Sequence, residues 1–209
     1  MMRRRLLIFA VTTVLLSGCL APRTDHTRFY LLSATEPAQP VAAVERDKVF
    51  LLGLRVSAAE YLHTRQMLVE LGGNQLRVSE ENLWKETPQA GFARVLAGRL
   101  ARNLPDCQLI ALPSGVTNKP EFILEIELHS FQGRLSPRSE AEVSAEVRIL
   151  DANSRLLERE ELRQTSPWRP TVAPAGYPAL ALAESRAAAD LADAIGQKVS
   201  ACHRQNAGR

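Results

Sequence analysis

Few residues of this sequence could do chemistry, and they lie far apart. Glu125, Glu127, Glu142 and Glu146 are candidate carboxylates for acid/base work, and His26, His63, His129 and His203 are candidate metal ligands. Cys19, Cys107 and Cys202 are thiols open to acylation or pairing. The four glutamates alternate with apolar residues in two strand-like runs, with Arg148 and Arg159 nearby, which is the pattern of a solvated sheet face. The histidines are scattered without metal-ligand spacing. There is no Gly-x-Ser-x-Gly elbow, no phosphate-cradling glycine loop and no Cys-x-x-Cys. The expectation is a non-catalytic chain with no metal site and no bound cofactor.

Cys19 differs from the other two cysteines by what precedes it. Met1-Met2-Arg3-Arg4-Arg5 leads into the apolar run from Leu6 to Leu16, which is too short to span a bilayer and has the layout of a secretory signal. The run ends in Leu16-Ser17-Gly18-Cys19, which resembles the bacterial lipobox. That resemblance implies cleavage before Cys19, a diacylglycerol on its thiol and an acyl chain on its new amino group. Three chains hold a protein at a membrane stably, since each buried methylene contributes about 0.8 kcal/mol. Leu20 stands where an aspartate would retain such a protein at the inner membrane, so the resemblance implies the outer membrane, on its periplasmic face. The alternative is an ordinary signal peptide that contains a cysteine.

The signal also distorts the charge. Arg3, Arg4 and Arg5 fall within residues 1–18, so the 26 Lys+Arg drop by three to equal the 23 Asp+Glu. A neutral mature chain has no basic excess to bind nucleic acid. Its 191 residues suffice for one well-buried domain, expected over 29–205 behind a tether over 19–28.

The elements of that domain follow from periodicity and punctuation. Phe29-Tyr30-Leu31-Leu32 reads as a strand, and Lys48 to Val56 as a central strand in which Gly53 marks a bulge or a close approach. Gln66 to Leu71 and Gln75 to Ser79 form a hairpin around Gly72-Gly73-Asn74. Thr87-Pro88 caps and opens a helix to about Asn103, with Phe92, Leu96, Leu100 and Leu104 on one stripe. Gln108 to Leu112 is a short strand. Phe122 to Leu128 alternates strictly, and Phe131 then breaks parity, which predicts a bulge. Ala141 to Ile149 alternates again, with Glu142, Ser144, Glu146 and Arg148 on the wet face. Arg155 to Thr165 reads as an edge strand by hairpin logic, although its Leu-Leu-Glu-Arg-Glu-Glu-Leu spacing would also fit a helix, and Pro178 to Cys202 reads as a long alanine-rich helix. The expected class is α+β: a mostly antiparallel sheet with two amphipathic helices packed on one face. Helices lying side by side and parallel would bring Cys107 and Cys202 to one edge, where an exported protein could pair them; the alternative is two unpaired thiols.

With those residues in place, the chain resembles the ABC-type transport auxiliary lipoprotein family from the lipobox to the last helix. The resemblance rests on the lipobox followed by Phe29-Tyr30-Leu31-Leu32, and on Glu60-Tyr61-Leu62 leading into Gln66-Met67-Leu68-Val69. It rests also on Asn82-Leu83-Trp84, followed by Pro88 and the helix with Leu96 and Leu100. The chain departs from the family at Ser57-Ala58-Ala59 and at Glu70, where many members have a proline and an arginine. The resemblance implies an outer-membrane-anchored docking partner of MCE-domain proteins, which belong to inner-membrane complexes that move lipids between membranes. It also leaves room for several copies around a conduit. Tyr61, Leu62, Asn82, Leu83 and Trp84 would then serve structure or an interface, with Trp84 filling the join between hairpin and helix. An assembly lipoprotein for an outer-membrane β-barrel, as in lipopolysaccharide transport, shares the anchor and the small α+β body.

Overall fold

The structure, a computed structural model, describes residues 25–33, 49–112, 119–170 and 176–207. The expected signal peptide, the lipobox with Cys19 and most of the tether lie outside the described residues. In chain order the elements are β1 (Arg28–Tyr30), β2 (Phe50–Ala58), a 3-10 turn (Glu60–Leu62), β3 (Gln66–Gly72), β4 (Gln75–Trp84) and α1 (Pro88–Asn103). There follow β5 (Cys107–Ala111), β6 (Phe122–Arg134), β7 (Glu140–Asp151), β8 (Leu156–Pro167) and α2 (Gly176–Ala207). Both long strands, both helices and the hairpin fall where periodicity placed them.

All eight strands join one sheet. The β6–β7–β8 meander is antiparallel, with β8 at its edge. The opposite half is not: β2 runs parallel to both β5 and β6, β3 parallel to β6, and β1 parallel to β4. The α+β class with two helices holds, and the sheet is mixed. Parallel pairs join residues distant in sequence, so no turn signal announces them.

β6 is the axis of this arrangement. Along one edge it pairs with β7 over its whole length. Its other edge is shared: β2 covers Phe122 to Leu128, and β3 takes over at Gly133 and Arg134. The handover coincides with a register shift between Leu128 and Ser130, the bulge that Phe131 required. Past the shift Phe131 and Gly133 return to the helix-covered face. A Cβ on Gly133 would stand 2.9 Å from both Leu180 and Trp168, so only glycine fits beneath α2 there.

The hairpin turn requires left-handed backbone at three successive residues, Gly72 (φ 96°), Gly73 (φ 60°) and Asn74 (φ 61°), which are residue types that tolerate it. β4 then continues through Glu80-Glu81-Asn82 to Trp84, beyond the Ser79 boundary expected. The extension exists because β1 adds in parallel at Asn82–Trp84.

The helices cover one face. Thr87 Oγ1 accepts a hydrogen bond from Ala90 N–H, Pro88 occupies the first turn, and Phe92, Leu96 and Leu100 are fully buried. α1 packs on β2 and β5, and α2 on β6, β7 and β8. They run parallel: Arg99 meets Asp193, Asn103 lies beside Asp193 and Gly196, and Asp106 just beyond α1 faces His203. The alanines of α2 (Ala183, Ala187, Ala188, Ala192) are buried and permit this close approach.

Candidate functional site

The 3-10 turn at Glu60–Leu62 and the end of β4 meet on opposite sides of β3, and both join it to the axis of the sheet. Leu62 is fully buried in the core. Tyr61 stays half exposed, its hydroxyl donating to the carbonyl of His129 (2.7 Å), which is the residue looped out at the β6 bulge. Gln132 Oε1 lies 3.3 Å from the same hydroxyl. Burial, then the nearby carboxylates of Glu142 and Glu70, push the Tyr61 phenol above its ordinary range.

Asn82 is buried, takes a hydrogen bond from the Tyr30 hydroxyl (3.1 Å) and gives one to Ser79 Oγ (2.9 Å), which fixes β1 to β4. Leu83 is half buried opposite Gln66 and Phe29. Trp84 is 2% exposed and meets Phe131 edge-on at 5.8 Å, while its backbone N–H donates to Arg65 O (2.6 Å). All five motif residues therefore act at joints. They hold the β1–β4–β3 half against β6, and of the five only Tyr61 shows more than a third of its surface.

Beneath Tyr61 lies a polar network that alternation alone did not reveal. Glu142 and Ser144, expected on a wet face, are 8% and 5% exposed, as are Ser130 (8%) and Gln132 (7%) from β6. Ser130 Oγ donates to Glu142 (3.1 Å) and Gln132 donates to Glu70 (3.1 Å). Arg134 donates to Glu142 from Nη1 (2.6 Å), and its Nε lies 3.0 Å from Glu70 Oε2, close enough for an ion pair but off hydrogen-bond alignment. Arg163 from β8 also donates to Glu142. Three strands, β6, β7 and β8, are thus tied through the Glu142 carboxylate, and β3 joins them through Glu70. The Glu142 side chain is covered because the bulge tilts Ser130 and Gln132 toward it and the 3-10 turn closes over them, a segment far upstream in sequence.

Of the remaining candidate carboxylates, Glu127 is exposed, and Glu125 and Glu146 are half-buried and paired. Glu125 reaches Arg55 and Arg148, and Glu146 reaches Arg148 and Arg159. The Arg159 hydrogen bond, ahead of the opposing effect of burial, lowers the pKa of Glu146. Nothing in this arrangement sets one carboxyl as acid against another as base. Among the described residues no cluster of His, Cys, Asp and Glu could hold a metal ion, and no helix is long and apolar enough to cross a membrane.

The pairing of Cys107 with Cys202 is not seen: both are free thiols. The helices are parallel as the pairing required, but the residue that α2 turns toward β5 is His203. Its ring stacks on Phe50 at 4.0 Å, and Phe50 is the β2 partner of Cys107. Cys202 points the other way, to β8, where its Sγ donates to Glu158 Oε2 (3.3 Å). Burial pushes the Cys107 thiol up to about 12, helped by Asp106, and the Cys202 thiol to about 11, helped by Glu158.

Glu184 escaped the sequence reading altogether. It is fully buried in α2, and neither carboxylate oxygen has a hydrogen-bond partner among the described residues. Burial alone raises its pKa well above the ordinary range, which favours the protonated form. Its spacing was a signal, since Glu184 continues the stripe of Leu180, Ala188, Leu191 and Ile195.

Solved structures share this fold. A protein from Xanthomonas campestris superposes with a TM-score of 0.71 at 14% identity, over 88% of this chain and 100% of its own. An uncharacterised protein superposes with a TM-score of 0.63 at 16% identity, over 83% of this chain and 98% of its own. No curated protein matches the chain. Residues 30–196 match the ABC-type transport auxiliary lipoprotein component, a span from β1 through most of α2 that includes every joint described above. The chain belongs to the ABC-type transport auxiliary lipoprotein family.

Proposed function

We propose that this protein is a non-catalytic docking component of an MCE/ABC-type system that moves lipids between the inner and outer membranes. Triacylated Cys19 holds it to the periplasmic face of the outer membrane, and its folded domain receives an MCE-domain protein reaching across from an inner-membrane complex. The observation that carries this reading is the family match over residues 30–196. The site geometry supports it, since the motif residues stabilise joints and the clustered carboxylates are engaged by arginines. Several copies around one conduit would suit the role.

The test is affinity capture of the tagged full chain from envelopes solubilised in mild detergent. An MCE-domain protein with its permease and ATPase is the expected capture. Capture of an outer-membrane β-barrel in their place would favour the assembly-lipoprotein reading instead.

A further inference from the structure

Three segments converge at the end of the sheet where β3 turns into β4. β6, parallel to β3, delivers Leu135 and the turn to β7 there, and β8, antiparallel to β7, delivers Trp168, whose indole N–H donates to Gly176 O at the start of α2 (2.8 Å). Ser136 of the β6–β7 turn lies beside Gly72. This end exposes two large apolar side chains, Leu76 (43%) and Val78 (47%), on the outermost stretch of β4. It also exposes Arg77, Arg138 and Arg169, one from each segment, and none has an ion-pair partner among the described residues. Of the acids on the neighbouring strands, Glu70, Glu140 and Glu142 are engaged by Arg134 and Arg163, and the exposed Glu80 and Glu81 lie further along β4 toward Asn82. The opposite end instead mixes Asp106, Glu121 and Asp151 with Lys119 and Arg155.

The chain enters the fold pointing from this same end. β1 runs parallel to β4 and covers only Asn82–Trp84, so the residues before Arg28 arrive from the side of the hairpin turn. Nine Cα-to-Cα steps lead from Cys19 to Arg28. Fully extended they reach about 30 Å, while β4 from Asn82 back to Gln75 measures about 23 Å. A tether this short allows the acylated residue to reach the hairpin turn with little to spare.

We infer that this end of the sheet lies against the headgroup layer of the membrane that holds Cys19, with Leu76 and Val78 at the apolar boundary and Arg77, Arg138 and Arg169 on anionic phosphates. The inference rests on the lipid anchor of the proposed function. A cation near an anionic leaflet raises the bound population roughly fivefold, so three arginines with two apolar side chains orient a tethered domain without holding it unaided. The far end of the sheet and the open sides of the helices then face the periplasm.

Hydrogen exchange of the acylated full protein tests this, comparing detergent with vesicles of phosphatidylethanolamine and phosphatidylglycerol. Amides at 72–79, 134–139 and 167–170 are expected to exchange roughly tenfold more slowly on vesicles, and those of the Asp151–Ser154 turn at an unchanged rate. Raised salt should weaken the effect. The combined variant Arg77→Glu, Arg138→Glu, Arg169→Glu should restore the detergent rates while still floating with the vesicles. Leu76→Ser with Val78→Ser, in exposed positions that leave the core intact, should do so in part. Unchanged exchange in protein that floats would overturn the inference and leave the anchor standing, as would slowing that appears without vesicles and marks a protein contact. If the protein carries no acyl chain, or Cys19→Ser floats as well as the parent, the anchor reading fails and this inference falls with it.

Discussion

Arg99 of α1 and Asp193 of α2 face each other at 2.9 Å across the parallel helix pair, and Arg99 is 9% exposed. Asn103 gives a second hydrogen bond to the same carboxylate (2.9 Å). The pair fixes the register of two helices that otherwise touch through alanine and leucine. Removing only the carboxylate strands a buried charge, which costs more than the pair contributes. Asp193→Ala should destabilise the fold by about 2 kcal/mol, below the roughly 3 to 5 kcal/mol of fully buried pairs because Asp193 is partly solvated. Adding Arg99→Met should recover most of the loss, as read by denaturant unfolding of the single and double variants.

Trp84 joins β4 to the core through Phe131, so its loss should be felt as stability before it is felt as binding. Trp84→Ala should cost about 3 to 5 kcal/mol. Trp84→Phe, which keeps much of the ring contact, should retain a near-native unfolding midpoint and full capture of the partner. Partner loss in a stable Trp84→Phe protein would instead make the indole part of an interface.

Glu184 predicts a pH dependence of known sign. Its folded pKa lies above its unfolded value, so the folded state holds the proton more tightly and the contribution of this group to stability falls as pH rises above the ordinary glutamate range. Glu184→Gln, isosteric with the protonated acid, should match the parent below the ordinary glutamate range and exceed it as pH rises above that range. For a chain of this size each kcal/mol appears as about 2 to 4 °C in Tm. The paired carboxylates Glu146 and Glu158 act oppositely, losing their contribution as pH falls, and both proteins share that trend.

The cysteines should titrate as two thiols in the mature protein unfolded without reductant. In the folded protein at pH 8 both should alkylate slowly, because burial holds their pKa values at about 12 and about 11. A single disulfide recovered on unfolding would require α2 to rotate Cys202 away from Glu158.

What could be read without coordinates was whatever is local. The ends of α1 follow from Thr87-Pro88 and Pro105, the hairpin from three residues that accept left-handed backbone, and the β6 bulge from the parity of Phe131. The parallel half of the sheet was not legible, because β1 finds β4 and β2 finds β5 and β6 only after long excursions. For the same reason Glu142 looked solvated: it alternates like a surface residue, and the turn that covers it belongs to another part of the chain. Cys202 and His203 are one position apart on α2, which turns a side chain by about 100° and puts His203, not Cys202, on the β5 side, in line with the alternative of two unpaired thiols.

The shared edge of β6 has a consequence for the order of assembly. As the chain emerges from its N-terminus, β1 waits for Asn82 and β2 for Cys107, and β3 has only its hairpin partner until Gly133 appears. Such distant pairings form late, after the loops between them have closed. The β6–β7–β8 meander is local and can form as soon as it is made, offering a ready edge on which β2 and β3 settle in turn. Until Asn82–Trp84 are made β1 has no partner in the sheet, which leaves the chain ahead of it open to any enzyme that must work there before the domain closes.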